Sequence, residues 1–187
     1  MKNSILIFIL FLFNNGILFS SREHNDSIIN EKDTVILKDT VLLKDTSFVA
    51  DANYAKRDSI VKYAEKYIGT RYQYGSMNPA KGFDCSGFVN YVFLEFDIKL
   101  PRSSKDFPAL TNSVDLKNCK KGDIMIFAGR DPRKRPVGHV GIVYENIDGN
   151  VKFIHSATTK KIGVIITDYN KTKYYNTRLV GIKNVLN

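Results

Sequence analysis

Gly82-Phe83-Asp84-Cys85-Ser86-Gly87-Phe88 sets one cysteine between two glycines at the start of an apolar run. Phe88, Val89, Val92, Phe93 and Phe96 follow at the spacing of one helix face. This predicts a central, well-buried helix ending near Asp97. A thiol at a helix start meets free backbone N–H groups and the positive end of the dipole, and both favour the thiolate. A small buried residue that merely fills the helix start fits the same pattern. The surrounding chain has to decide between the two.

Upstream, Ser59 reads as the N-cap of a first helix carrying Ile60, Val61, Ala64, Tyr67 and Ile68, with Gly69 as its stop. Downstream, Leu100-Pro101-Arg102-Ser103-Ser104 opens a short third helix limited by Pro108. Past Lys121 the pattern turns to strands: Ile124–Phe127, His139–Tyr144, Val151–His155, Val164–Thr167 and Leu179–Val185. Helices followed by a strand meander predict an α+β fold, with N-terminal helices on a five- to six-stranded antiparallel sheet.

Farther out, Lys2 and the apolar stretch from Ile5 to Phe19 read as a secretory signal over residues 1–21. The stretch is short for a membrane span, and an uncleaved anchor giving transient membrane attachment is the alternative. No cysteine stands near the cleavage site, so a lipid anchor is not expected. Residues 22–58 carry a six-residue repeat, seen in Asp33-Thr34-Val35, Asp39-Thr40-Val41 and Asp45-Thr46-Ser47. Three short copies cannot bury a core of their own, so the segment reads as a tether; a strand that docks on a partner is the sharper alternative. The domain then spans 59–187.

The chain of 187 residues has a formal charge of +9, and from Ile60 onward 21 Lys and Arg face 11 Asp and Glu. A basic domain favours anionic partners, but no nucleic-acid-binding motif accompanies the charge. Only Cys85 and Cys119 are present. In an exported protein a disulfide between them is the ordinary expectation; their different surroundings argue against it, and Cys119 reads as incidental.

Of three histidines, His24 falls in the tether, while His139 and His155 fall on consecutive strands. A three-residue hairpin loop at Ile147-Asp148-Gly149 pairs Gly141 with His155 and puts both histidines on one face. A two-residue Asp148-Gly149 turn puts them on opposite faces. A nucleophilic cysteine needs a base, and the base needs a polar group to orient it. Cys85, His139 and His155 suit these roles, with the Cys85 backbone N–H as an oxyanion donor. A zinc site is conceivable from the same residues, but no compact ligand pair is present, and neither metal nor cofactor is expected.

The motifs Tyr72-Gln73-Tyr74-Gly75, Phe83-Asp84-Cys85-Ser86-Gly87-Phe88, Leu100-Pro101-Arg102-Ser103-Ser104, Gly122-Asp123-Ile124, Gly138-His139-Val140-Gly141-Ile142 and Phe153-Ile154-His155-Ser156-Ala157 stand in the order seen in NlpC/P60 cell-wall peptidases. The resemblance covers residues 59–187. It is nearest to the secreted murein endopeptidases of the Spr type, whose third catalytic member is also a histidine. It implies a papain-like core and cofactor-free hydrolysis of peptide bonds in peptidoglycan stem peptides. It implies Cys85 as nucleophile, His139 as base and His155 as orienting residue. It also places Tyr74 beside the cysteine, and Asp84 and Ser86 where some members hold the amine end of the stem peptide. Arg102 matches a recurrent arginine.

Asp84 and Ser86 also suit plain capping roles, and the plain role for Arg102 is pairing with the backbone or a carboxylate. Arg130-Asp131-Pro132-Arg133-Lys134-Arg135-Pro136 is a basic loop that either is simply solvated or borders the groove. The sequence leaves a thiol amidase or acyltransferase, and a non-enzymatic wall-binding protein, as alternatives. The expected setting is the periplasm or cell envelope, and the expected state is a monomer.

Overall fold

The computed structural model describes residues 52–129, 131, 133, 136–158 and 162–186. These belong to one compact unit, Leu42–Asn187. The export signal and the repeat at 31–48 lie outside the described residues, as does most of the 130–136 loop. No helix among the described residues is long and apolar enough to cross a membrane.

The first helix, α1, occupies 52–65 and begins before the expected cap. Ser59 is interior to it, and its hydroxyl donates to the Ala55 carbonyl one turn back at 2.8 Å. The stretch 52–58, assigned to the tether, is therefore helical. The reason to extend upstream is Arg57. Its guanidinium is almost fully buried and donates to Asp123 Oδ1 (2.8 Å), the Lys121 carbonyl (2.7 Å) and Asn184 Oδ1 (2.8 Å). Asp123 in turn accepts the Lys120 backbone N–H. One side chain thus ties α1 to the start of the sheet and to the C-terminal segment.

A small hairpin, β1 (Met77–Asn78) with β2 (Gly82–Phe83), leads into α2 (Cys85–Leu94). Asp84 caps α2 by accepting the Gly87 N–H. Every α2 residue from Cys85 to Asn90 is buried, as are Val92 and Phe93. The expected third helix is a 3-10 segment, Ser104–Ala109, capped by Ser103 and containing Pro108; proline lacks the N–H that an α-helix would need there. Further along are β3 (Ser113–Val114), β4 (Ile124–Ala128), β5 (Val137–Ile147), β6 (Asn150–Ala157), β7 (Gly163–Asp168), α3 (Lys173–Asn176) and β8 (Leu179–Lys183).

The six longer-range strands form one antiparallel sheet in the order β3-β8-β4-β5-β6-β7. The α+β class with N-terminal helices on this sheet agrees with the sequence; β3 and α3 were not legible there. Alternate strand residues serve two cores. Ile124, Ile126, Val140, Ile142 and Ile154 meet α1 and α2 on one face. Met125, Phe127, Val143 and Phe153 meet Tyr169, Ile182 and Cys119 on the other.

The β5–β6 hairpin corrects the loop expected from sequence. Ile147 pairs with Asn150, so the turn has two residues, Asp148 and Gly149, at φ 51° and 84°. Two left-handed residues are what a tight hairpin of this twist requires. Left alone, that turn would have turned the histidines to opposite faces. A β-bulge between Val143 and Glu145 leaves Tyr144 without a cross-strand partner and restores the register to Val143–Phe153 and Ile142–Ile154. An ideal Cβ on Gly141 would lie 3.0 Å from the Cβ of His155 and 2.7 Å from the Phe153 ring. Gly141 therefore faces His155 as expected, by a different route.

Replacing Arg57 with Met should leave Asp123 as a buried, half-paired carboxylate. Denaturant unfolding is expected to show a loss of about 3–5 kcal/mol; a loss below about 1 kcal/mol would contradict this role for Arg57.

Candidate active site

Cys85 begins α2, and its side chain is buried in the core between α2 and the sheet. The β5–β6 ladder ends at Ile142–Ile154, although β5 begins at Val137 and β6 runs on to Ala157. The start of α2 meets the strands at this parting. The Val140 backbone N–H lies close enough to the Cys85 sulfur to favour its thiolate, and Ser156 Oγ donates to the Phe83 carbonyl at 2.8 Å. The thiol is thereby held next to the residue that follows His139.

His139 and His155 face each other across β5 and β6. His139 Nε2 and His155 Nδ1 are 2.9 Å apart, and the rings are perpendicular with centroids 4.9 Å apart. The chain of contacts continues: His155 Nε2 lies 2.9 Å from Thr167 Oγ1 on β7. Phe153 stacks on His155 at 4.5 Å, and Tyr175 of α3 meets His155 and His139 at 5.1 and 5.8 Å between centroids. Thr167 and Tyr175 were not singled out by sequence. Neither stands in a motif, and only the folding of β7 and α3 against β6 brings them in.

The electrostatics differ from the helix-start expectation. Burial pushes the Cys85 thiol up; the Val140, Ser86 and Cys85 N–H groups oppose this but do not prevail. Burial pushes His139 down to about 4. His155, fully buried, is pushed well below the ordinary histidine range by burial and then by His139. At neutral pH the resting site is a neutral thiol beside two neutral imidazoles.

The other expected residues sort differently. Tyr74 is 85% exposed, so it is not packed against the cysteine as expected. Tyr72 takes that place: it bridges to Phe83, and its hydroxyl is pushed up to about 12 by burial and then by the proximity of Cys85 and Asp84. Tyr74 falls in the turn that follows, while the bridge to Phe83 fixes Tyr72 against the segment leading into Cys85. Asp84 is already engaged. Arg102 Nη2 lies 2.8 Å from its Oδ2, Arg102 Nη1 lies 3.1 Å from its Oδ1, and Oδ1 also accepts from Gly87 N and Ser86 Oγ. Ser86 Oγ accepts a further bond from Arg102 at 3.1 Å. Asp84, Ser86 and Arg102 thus form one closed cluster that caps α2, the plainer of the two roles considered for them. Both cysteines are free thiols, and Cys119 is buried in the opposite core beside Asn146. Among the described residues no group of three His, Cys, Asp or Glu side chains could hold a metal ion.

A family model for the NlpC/P60 family matches residues 69–184. The chain belongs to this family. Among curated relatives, a gamma-DL-glutamyl hydrolase of Bacillus subtilis is 35% identical over 126 residues, covering 67% of this chain and 29% of the relative. The Escherichia coli murein DD-endopeptidase MepS/murein LD-carboxypeptidase is 38% identical over 127 residues, covering 67% of this chain and 60% of the relative. The chain thus spans less than two thirds of either relative's length. Among solved structures, an NlpC/P60-family protein of Staphylococcus aureus similar to a lipoprotein matches at a TM-score of 0.59 and 29% identity, over 70% of this chain and 41% of that one. The NlpC/P60 domain of the peptidoglycan hydrolase SagA matches at 0.54 and 26%, over 69% and 98%. This NlpC/P60 domain therefore has the family's α+β core.

A buried His155 and a half-buried His139, both pushed toward the neutral form, make a pH signature. Between about pH 6.5 and 4 the unfolded chain binds protons that the folded chain refuses. Stability should therefore fall with falling pH, by up to about 1.4 kcal/mol per unit for each histidine, and be insensitive to them above pH 7. Histidine C2–H resonances should place the His139 midpoint near 4 and that of His155 well below the ordinary histidine range; a midpoint at 6 or above for either would contradict the burial account.

Proposed function

We propose that this NlpC/P60 protein is a cysteine endopeptidase that hydrolyses peptide bonds in peptidoglycan stem peptides or crosslinks. Cys85 is the nucleophile, His139 the base and His155 the residue that orients it. The observation that carries this reading is the 2.9 Å contact between His139 Nε2 and His155 Nδ1, with His139 on the strand whose next residue, Val140, lies close to the thiol at the start of α2. Curated relatives named as murein endopeptidases support the substrate class.

The geometry suggests the proton route. His139 Nε2–H donates to His155 Nδ1, and His155 Nε2–H donates to Thr167 Oγ1. This tautomer leaves His139 Nδ1 free to accept the thiol proton. The sulfur then bonds to the scissile carbonyl carbon. Negative charge moves to the carbonyl oxygen, and the Cys85 N–H and the Tyr72 hydroxyl are the donors that stabilise it. The C–N bond breaks as His139 returns its proton to the leaving amine. Water, deprotonated by His139, then attacks the thioester and releases the acid and the thiol. A neutral resting pair is compatible with this sequence, because the proton moves as the sulfur attacks and the ions need not exist beforehand. The N-terminal segment supplies export to the envelope, and the monomer acts without metal or cofactor.

Purified sacculi incubated with the wild-type protein should release muropeptides identifiable by mass, and Cys85→Ser should release none above background, a loss of at least about 10³-fold. The products also identify the bond, within the stem or across the crosslink. Wild-type protein that releases nothing, or Cys85→Ser that matches it, would reject the proposal.

A further inference from the structure

Arg71 is held in an unusual way for an exposed arginine. Its carbonyl accepts the Phe83 N–H at 3.1 Å, and its Nε donates to the Lys81 carbonyl at 2.8 Å. The side chain lies across Gly82, where an ideal Cβ would come within 2.9 Å of Arg71 Cγ and 2.5 Å of its carbonyl oxygen. Its backbone is pressed from the other side by Gly163, whose Cβ would meet Arg71 Cα at 2.8 Å. Side chains at 82 and 163 would displace this segment. The guanidinium is thus fixed in direction before anything binds, and among the described residues its four Nη–H donors have no hydrogen-bond partner.

Two adjoining concavities share Arg71, Gln73 and Tyr74. One, about 340 Å³, also includes Tyr72, the neighbour of Cys85. The other, about 440 Å³, extends to Lys81. Their only ionisable acid–base side chains besides tyrosine are the two cations. Among the described residues neither cation has a carboxylate partner, whereas Arg57 and Arg102 both do. An exposed arginine is ordinarily a solvated surface group. One with its fork pre-oriented, next to a lysine and in a groove that includes Tyr72, is arranged for a planar anion.

We propose that Arg71 and Lys81 form a subsite for the free glutamate α-carboxylate of the stem peptide, the Arg71 fork binding it in bidentate fashion and Lys81 adding a second charge. The subsite rests on the peptidase reading for the identity of the peptide but not for the recognition of its charge. It implies a preference for stems whose glutamate α-carboxylate is free over stems in which it is amidated.

Calorimetry with Cys85→Ala protein measures this apart from turnover. The probes are the tripeptide L-Ala-γ-D-Glu-diaminopimelate and the same peptide carrying an amide at the glutamate α-carboxylate. The acid form is expected to bind about tenfold more tightly, and the difference should vanish when Arg71→Gln and Lys81→Gln are added. The Lys81→Gln change alone, whose side chain makes no internal bond, should remove part of it without disturbing the fold. Equal binding of the two peptides, or a preference that survives both replacements, would overturn the subsite. With Cys85 restored, a charge preference in binding but no release of muropeptides from sacculi would refute the peptidase reading and leave the subsite standing; release from sacculi with equal binding of the two peptides would do the reverse.

Discussion

The contact between His139 and His155 depends on one unpaired residue. A two-residue turn at Asp148-Gly149 sends the strands back out of register for the histidines, and the bulge at Tyr144 brings them into it. A side chain at 141 would then occupy the space of the Phe153 ring and the His155 Cβ, so that position must be glycine. Beyond Ile142–Ile154 the strands part, and the start of α2 brings Cys85 to that opening. The hairpin, the bulge and the glycine make one device that sets two imidazoles on one face beside a thiol.

The same packing decides the charge state. A helix start favours a thiolate, but Cys85 lies deep enough for burial to outweigh it, and the histidines are neutral for the same reason. Such a site holds its reactive groups in place and leaves proton movement to the encounter with substrate. Thr167 and the aromatic wall of Phe153 and Tyr175 keep the imidazoles from turning.

Much of this was legible in the sequence. The apolar stripe after Cys85 and the unbroken apolar run Ile124–Phe127 correspond to α2 and β4, because both patterns report burial directly. The facing of Gly141 and His155 was also legible, but through a compensating pair of differences: a two-residue turn plus a bulge has the parity of a three-residue loop. Bulges leave little trace in composition, so the route was hidden. Ser59 looks like a cap because the reason for the earlier helix start, Arg57, finds its partner Asp123 66 residues away. Choosing Tyr72 over Tyr74 required knowing which of the two lies against Phe83. Asp84, Ser86 and Arg102 were placed in the right neighbourhood, but their mutual bonding only emerges once residue 102 is folded back onto the cap of α2.

The most direct test of the thiol–imidazole coupling is the rate of Cys85 alkylation by iodoacetamide at pH 7, with the buried Cys119 as an internal reference. Peptide mass mapping of wild type and His139→Ala gives both rates at once. Removing the ring opens space around the sulfur, so steric effects alone would speed the reaction. If His139 accepts the thiol proton, Cys85 should instead react at least about tenfold more slowly in the variant, a change of about 1.4 kcal/mol in the barrier. Equal or faster alkylation of Cys85 without His139 would contradict the account.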